Sequence, residues 1–213
     1  MFLSEMQSIN FDNGGNLSPI SKKVRNSCLS SGKLILKCEP KKKTPSFEES
    51  LWKIHYGWSK SPFGNVLIFK KEGSIVGLAF SDIAKNPKTE RDMKNRWPLA
   101  NFCSNDSMAE KLSKKIFETT DNIRIMLIGS DFELKVWKAL AQIPFSNITS
   151  YSAVAITIGN ARAVRAVAKA IGKNPVAWLI PCHRVIQKTG GLGGYHWGIS
   201  FKKDMIIHES HKP

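Results

Sequence analysis

The sequence predicts an α/β N-terminal domain followed by a mainly α C-terminal domain containing a helix-turn-helix. Three observations lead there. Between Ile54 and Phe80, short apolar runs alternate with glycine-containing turns, the pattern of β-hairpins. From Ser130 onward, apolar residues recur at helical spacing behind capping residues. The chain has 213 residues, 42% of them hydrophobic, which is enough to bury the core of one large domain or two small ones.

Residues 1–46 are rich in Ser, Asn, Gly and Lys, and Lys41-Lys42-Lys43 runs into Thr44-Pro45. Apart from Leu34-Ile35-Leu36 they lack apolar periodicity and read as a basic, flexible tail. The α/β domain is expected over 50–120. His55-Tyr56-Gly57-Trp58 leads through the turn Ser61-Pro62-Phe63-Gly64 to the run Val66-Leu67-Ile68-Phe69. Lys71-Glu72-Gly73 then turns the chain into Ile75 to Phe80. A charged surface helix is expected from Glu90 to Trp97, stopped by Pro98, and another from Met108 to Phe117.

The second domain is expected over 125–213. Ser130 with Glu133 forms a capping box, and Phe132, Val136, Trp137 and Leu140 follow at helical spacing until Pro144. Ser150 caps a second helix, which carries Val154, Ala155 and Ile158 inward and is ended by Gly159. Asn160 is expected to cap a third, with Val164, Val167, Ala168 and Ile171 on one face and Arg162, Arg165 and Lys169 on the other. Two short helices around Gly159-Asn160, the second with a basic face, form the predicted helix-turn-helix.

Charge narrows the class of partner. The formal balance is +15, and residues 151–213 hold nine Lys or Arg against Asp204 and Glu209, a local balance of +7. Such a field favours a polyanion, most commonly nucleic acid. No apolar run reaches the roughly 18 residues a membrane helix needs, and no secretory signal pattern opens the chain. Cysteines stand at 28, 38, 103 and 182 with no Cys-x-x-Cys pair, so no zinc site is expected and a reducing compartment fits.

Asn174-Pro175 breaks the third helix, the apolar Val176 to Ile180 reads as a buried segment, and Pro181-Cys182-His183-Arg184 follows at once. A thiol reacts only as thiolate, and His183 is the adjacent candidate base. Neighbours in sequence seldom touch directly, so a bridging water is the expected geometry, with a carboxylate on the other ring nitrogen. Past Cys182 the chain offers only Asp204 and Glu209 for that role.

The segment Ser150 to Val185 resembles the O6-alkylguanine-DNA alkyltransferases. Ser-Tyr-Ser-Ala-Val-Ala, Gly159-Asn160, Arg165-Ala166-Val167, Asn174-Pro175 and Ile180-Pro181-Cys182-His183-Arg184-Val185 carry the likeness. Gly194-Tyr195-His196-Trp197-Gly198 and Lys202 to Glu209 extend it downstream. Upstream, Leu127 to Glu133 with Val136-Trp137, and Tyr56-Gly57 with Ser61-Pro62-Phe63-Gly64, resemble the Ada-type branch, so the likeness spans about residues 54–210.

The resemblance implies a ribonuclease-H-like first domain and an irreversible transfer, without cofactor or metal, of an alkyl group from guanine O6 in double-stranded DNA, and from thymine O4, to a cysteine. It implies Cys182 as acceptor, His183 as base acting through water, and Glu209 as the residue that orients His183. Asn174 would brace the turn, Tyr151 would assist extrusion of the base, and Lys202 would stabilise the leaving guanine. Arg165 would fill the gap in the duplex, with Arg162 and Lys169 on phosphates. Val185 and Cys182, through their carbonyls, and Tyr195 and His196 would form the substrate pocket.

The expected protein is a monomer acting in the cytoplasm on bacterial nucleoid DNA, or in a nucleus. Ser146-Asn147 and His196 depart from the family's usual residues, the first with little expected effect, the second bearing on bulky alkyl groups. A non-catalytic lesion binder is the alternative, against which the presence of Cys182 counts. A cysteine hydrolase lacks its Asn or Asp partner, and about 46 tail residues are too few for a regulator's separate DNA-binding domain.

Overall fold

The computed structural model describes residues 34–41 and 47–210. The first half runs β1 (Leu34–Pro40), a single turn α1 (Phe47–Ser50), β2 (Lys53–Ser61), β3 (Gly64–Lys71), β4 (Ser74–Ser81), α2 (Pro87–Lys94), β5 (Asn101–Ser104), α3 (Asp106–Glu118) and β6 (Ile123–Gly129). These strands form one mixed sheet in the order β1-β6-β4-β3-β2-β5. β2, β3 and β4 form an antiparallel meander, while β1 with β6, β4 with β6 and β2 with β5 pair in parallel. The β3–β4 turn is the pair Glu72-Gly73, both at positive φ (48° and 79°), the geometry that matches the twist of the flanking strands.

Side chains of β3 and β4 alternate between two apolar clusters. Val66, Ile68, Leu78 and Phe80 face the second half of the chain. Leu67, Phe69, Val76 and Ala79 pack with Ile54, Trp58, Met93, Trp97 and Met126. Burial on both faces explains why these strands read as continuous apolar runs rather than alternating ones.

Two domain expectations need correction. Leu34–Pro40 is not tail: it is an edge strand in register with β6 from Leu34↔Ile123 to Pro40↔Gly129. A strand bonded to a neighbour some ninety residues away needs little apolar periodicity of its own, because β6 supplies the buried partner edge. The remaining tail residues, 1–33 and 42–46, lie outside the described residues. β6 likewise extends the sheet to Gly129, so the α/β part does not stop at 120 and the helical part begins at Ser130, not 125. Helix α2 starts earlier than expected, since Asn86 accepts from Lys88 N and Pro87 takes the first turn.

The second half comprises α4 (Asp131–Leu140), β7 (Thr149–Ser150), α5 (Tyr151–Thr157), α6 (Val164–Gly172), a 3₁₀ turn (Cys182–Arg184), β8 (Val185–Ile186) and α7 (Ile199–Ser210). The Ser130–Glu133 capping box is present. Gly129 is required beside it, because a Cβ there would lie 2.5 Å from the Trp137 ring. Trp137 Nε1 donates to the Ala170 carbonyl at 2.8 Å, tying α4 to α6. Ser150 caps α5 through Ala153 N, and Gly159 (φ 75°) makes the turn that follows.

Asn160 does not cap α6. The helix opens at Ala163 without a side-chain cap, and Asn160 instead accepts from Ala163 N through its carbonyl. Arg162 therefore sits on the turn before the helix, while Arg165 and Lys169 are exposed on α6 itself.

Candidate active site

The site begins where α6 is forced to stop. Pro175 cannot continue a helix, and Asn174, only 3% exposed, turns inward to organise the loop that follows. Its Oδ1 accepts from Val176 N at 3.1 Å. Its Nδ2 donates to the Ile180 carbonyl at 2.8 Å and to Cys182 Sγ at 3.1 Å. The segment also docks on the sheet: Leu78 N donates to the Pro175 carbonyl, and Ala177 N to the Leu78 carbonyl. Val176 to Ile180 are all buried, and β8 pairs with β7, so the 3₁₀ turn carrying Cys182 is held at both ends.

Behind the cysteine lies a buried ion cluster. His183 Nε2 is 2.9 Å from Glu209 Oε1. Arg184 Nε and Nη2 reach the same carboxylate at 2.7–3.1 Å, and Nη1 donates to the Ile143 carbonyl. Ser146 N donates to Glu209 Oε2, and Ser146 Oγ to the Glu209 carbonyl. Burial pushes the Glu209 carboxyl up, but the hydrogen bonds from His183 and Arg184 override it and hold the carboxyl at about 2. His183 is pushed below its ordinary value, burial outweighing Glu209, so the ring is neutral at pH 7. Its Nδ1 is buried with no protein hydrogen-bond partner. A neutral imidazole with one nitrogen on a carboxylate and the other free to accept is a general base.

Cys182 forms part of the wall of a cavity of about 300 Å³, lined also by Tyr151, Ala168, Ile171, Gly172, Asn174, Gly194, Tyr195, His196 and Trp197. Burial raises its thiol, with Asn174 and Lys202 pulling the other way. Tyr195 is raised well above the usual phenol range, first by burial and then by the adjacent Cys182. Lys202 is fully buried, and its Nζ donates to the carbonyls of Val185 (2.6 Å), Leu192 (2.5 Å) and Gly194 (3.4 Å). Burial lowers its ammonium to about 8, with Cys182 opposing. The lysine thus staples the loop from Gln187 to Gly198 against the 3₁₀ turn.

Of the residues expected from sequence, Cys182, Asn174, Tyr151, Tyr195 and His196 meet at the cavity. His183 and Glu209 stand together behind it. Lys202 and Val185 do not line it: the lysine's protons are taken by carbonyls, and the Val185 carbonyl is one of them. Arg165, Arg162 and Lys169 lie outside the cavity on the exposed side of α6 and its leading turn.

Sequence reasoning did not place Trp197, Gly172 or Ala168 at the cavity, and read Ala168 only as part of the apolar face of its helix. The spacing of Ala168 and Gly172, small residues one turn apart on α6, was the available signal. Ser146, at φ 60°, holds a left-handed turn while bonding Glu209 twice.

A family model described as the DNA-binding domain of 6-O-methylguanine DNA methyltransferase matches residues 131–211. The methylated-DNA–protein-cysteine methyltransferase of Methanosarcina barkeri is 34% identical over 155 residues, 72% of this chain and 95% of that protein. The bifunctional transcriptional activator/DNA repair enzyme Ada of Escherichia coli is 29% identical over 163 residues, 74% of this chain, but the chain spans only 46% of its length. Similarity therefore does not single out the Ada branch. The crystal structure of Mycobacterium tuberculosis O6-methylguanine methyltransferase matches with a TM-score of 0.58 at 29% identity, covering 75% of this chain and 95% of that one. A structure of the same mycobacterial protein in complex with DNA gives a TM-score of 0.58.

Proposed function

The chain belongs to the methylated-DNA–protein-cysteine methyltransferase family, and on that premise we propose that it repairs DNA by moving an alkyl group from guanine O6 to Cys182 Sγ, once per molecule. The observation that carries this reading is the Cys182 thiol on the cavity wall, gripped by Asn174, with the buried His183–Glu209 pair behind it. The sulfur attacks the alkyl carbon, the S–C bond forms as the O6–C bond breaks, and the electron pair leaves with guanine. The thiol's proton passes by way of water to Nδ1 of His183, whose imidazolium Glu209 stabilises. A thioether C–S bond is inert to general-base hydrolysis, so the alkylated protein is the end product.

The basic side of α6 supports DNA as the partner. The helix that presents Arg165 and Lys169 to solvent also lines the cavity with Ala168, Ile171 and Gly172. Phosphate contacts at Arg162 and Lys169 would therefore set the cavity mouth against the duplex, with α5 and α6 acting as a helix-turn-helix. A guanine O6 inside the stack is out of reach, so the base must be flipped out, with Tyr151 at the cavity edge and Arg165 in the vacated stack. Tyr195 and His196 complete the pocket, and Lys202 positions its loop and adds positive charge where the guanine anion leaves. The sheet, with its antiparallel meander flanked by parallel strands, is read as a ribonuclease-H-like scaffold ending at Gly129. O4-alkylthymine would enter by the same geometry, and a monomer suffices for it.

The direct test is single-turnover reaction with duplex DNA carrying O6-methylguanine. Transfer is expected within one equivalent; no transfer refutes the reading. His183→Ala should slow transfer about a hundredfold or more without weakening DNA affinity. Equal rate constants in variant and parent would remove the base from His183.

Arg165→Ala separates flipping from simple binding. Loss of a phosphate contact alone would weaken all DNA and flatten the salt dependence by about one unit. Loss of the residue that fills the stack should instead slow duplex repair and spare reaction with free O6-benzylguanine, which needs no flipping. Parallel loss on both substrates would assign Arg165 to the fold.

A further inference from the structure

Trp178 stands out at the back of the site. It is buried, 5% exposed, yet it holds a left-handed backbone (φ 68°) that a bulky residue rarely adopts. Its indole N–H is buried with no hydrogen-bond partner. Two costs at one position call for a compensating interaction, and strain of this kind collects at functional sites. The indole lies flat on the His183 ring, with centroids 5.2 Å apart and planes 13° from parallel. On its other sides it is boxed by Phe63 from the β2–β3 turn (4.8 Å), Phe117 of α3 (6.1 Å) and His208 of α7 (5.9 Å), so it cannot swing away.

We propose that Trp178 is a positioning residue for alkyl transfer: its π face fixes the plane of the His183 ring and stabilises the imidazolium formed when His183 takes the thiol's proton. The ring plane decides where the two nitrogens point. With the indole against one face, Nε2 is aimed at Glu209 and Nδ1 is left for the proton. An aromatic face attracts a cation far more than a neutral ring, most of all where water is excluded. The contact therefore strengthens as the proton moves, which is what speeds a step rather than merely holding the ground state. The charged and titratable groups around His183 are Glu209 and Lys202 of α7 and Cys182 and Arg184 of its own turn, with His208 beyond the indole. None of them supplies a π face to the imidazole.

The proposal rests on the alkyl-transfer reading, and its test keeps the two apart. Single-turnover rate constants on O6-methylguanine duplex are measured against pH for the parent, Trp178→Leu and Trp178→Phe. The leucine variant keeps an apolar, though smaller, side chain and the same backbone strain but removes the aromatic face. Its plateau rate constant is expected to fall about tenfold, and its acid limb to move to lower pH, because imidazolium has lost a stabilising neighbour. Phenylalanine should restore most of both. A purely structural role would lower the fraction of active protein and leave the rate constant and limb of the active molecules unchanged; that result overturns the proposal. So does a slower leucine variant with an unmoved limb, or one that phenylalanine does not rescue.

If the leucine variant does not fold, fluorinated tryptophan placed at position 178 keeps the shape while draining electron density from the ring. Rates that fall with increasing fluorination support the proposal, and rates indifferent to it overturn it. A parent that transfers no methyl sinks the alkyl-transfer reading itself.

Discussion

Glu209→Ala is expected to destabilise the protein by about 3–5 kcal/mol, the usual cost of removing one partner from a buried ion cluster. The carboxylate accepts from His183, from Arg184 through two nitrogens, and from Ser146 N, and it is 2% exposed. Removing it takes the carboxylate away from a guanidinium that is only 1% exposed. Urea unfolding reads the loss as a lower midpoint at unchanged slope. The pH dependence has a definite sign. Glu209 is held at about 2 against an ordinary 4.5, so its contribution is full above 4.5 and fades as pH falls toward 2. Parent and variant should therefore converge in stability across that acid window. An unchanged midpoint at neutral pH would mean that Arg184 finds another acceptor.

Cys182→Ala is expected to abolish transfer altogether while DNA affinity stays within a few-fold, since the cysteine is on the cavity wall and off the exposed face of α6. In the parent, intact-mass measurement should show a gain of about 14 Da, one methyl and no more, on the peptide carrying Cys182. Cys38 and Cys103 are free thiols in other surroundings, away from the His183–Glu209 pair. Methyl on either of them, or continued turnover after one equivalent, would sink the assignment.

Much of the fold is legible in order along the chain. The Glu72-Gly73 turn, the Ser130–Glu133 capping box and the helical spacing after it depend on residues within a few positions of one another, so local rules suffice. Where local rules were applied to non-local facts, they erred. Leu34–Pro40 is a strand because β6 offers it an edge, and the short apolar run Leu34-Ile35-Leu36 is too little by itself to say so. Asn160 has the chemistry of a cap, but the chain needs it in the turn, and α6 starts three residues later without one.

At the site, sequence by itself determined the reagents: a basic helix, then an asparagine before a proline, a cysteine beside a histidine and a glutamate late in the chain. Only the tertiary structure decided which groups face the cavity and which stand behind it. It set Lys202, expected beside the leaving group, as a staple across three carbonyls. It brought Asp92 of α2 to His196 at the cavity rim, and laid Trp178 on His183. The physical reason is that side-chain chemistry belongs to a residue, whereas desolvation, ring stacking and the sharing of one carboxylate by three residues belong to packing. Packing is settled only when segments far apart in the chain meet.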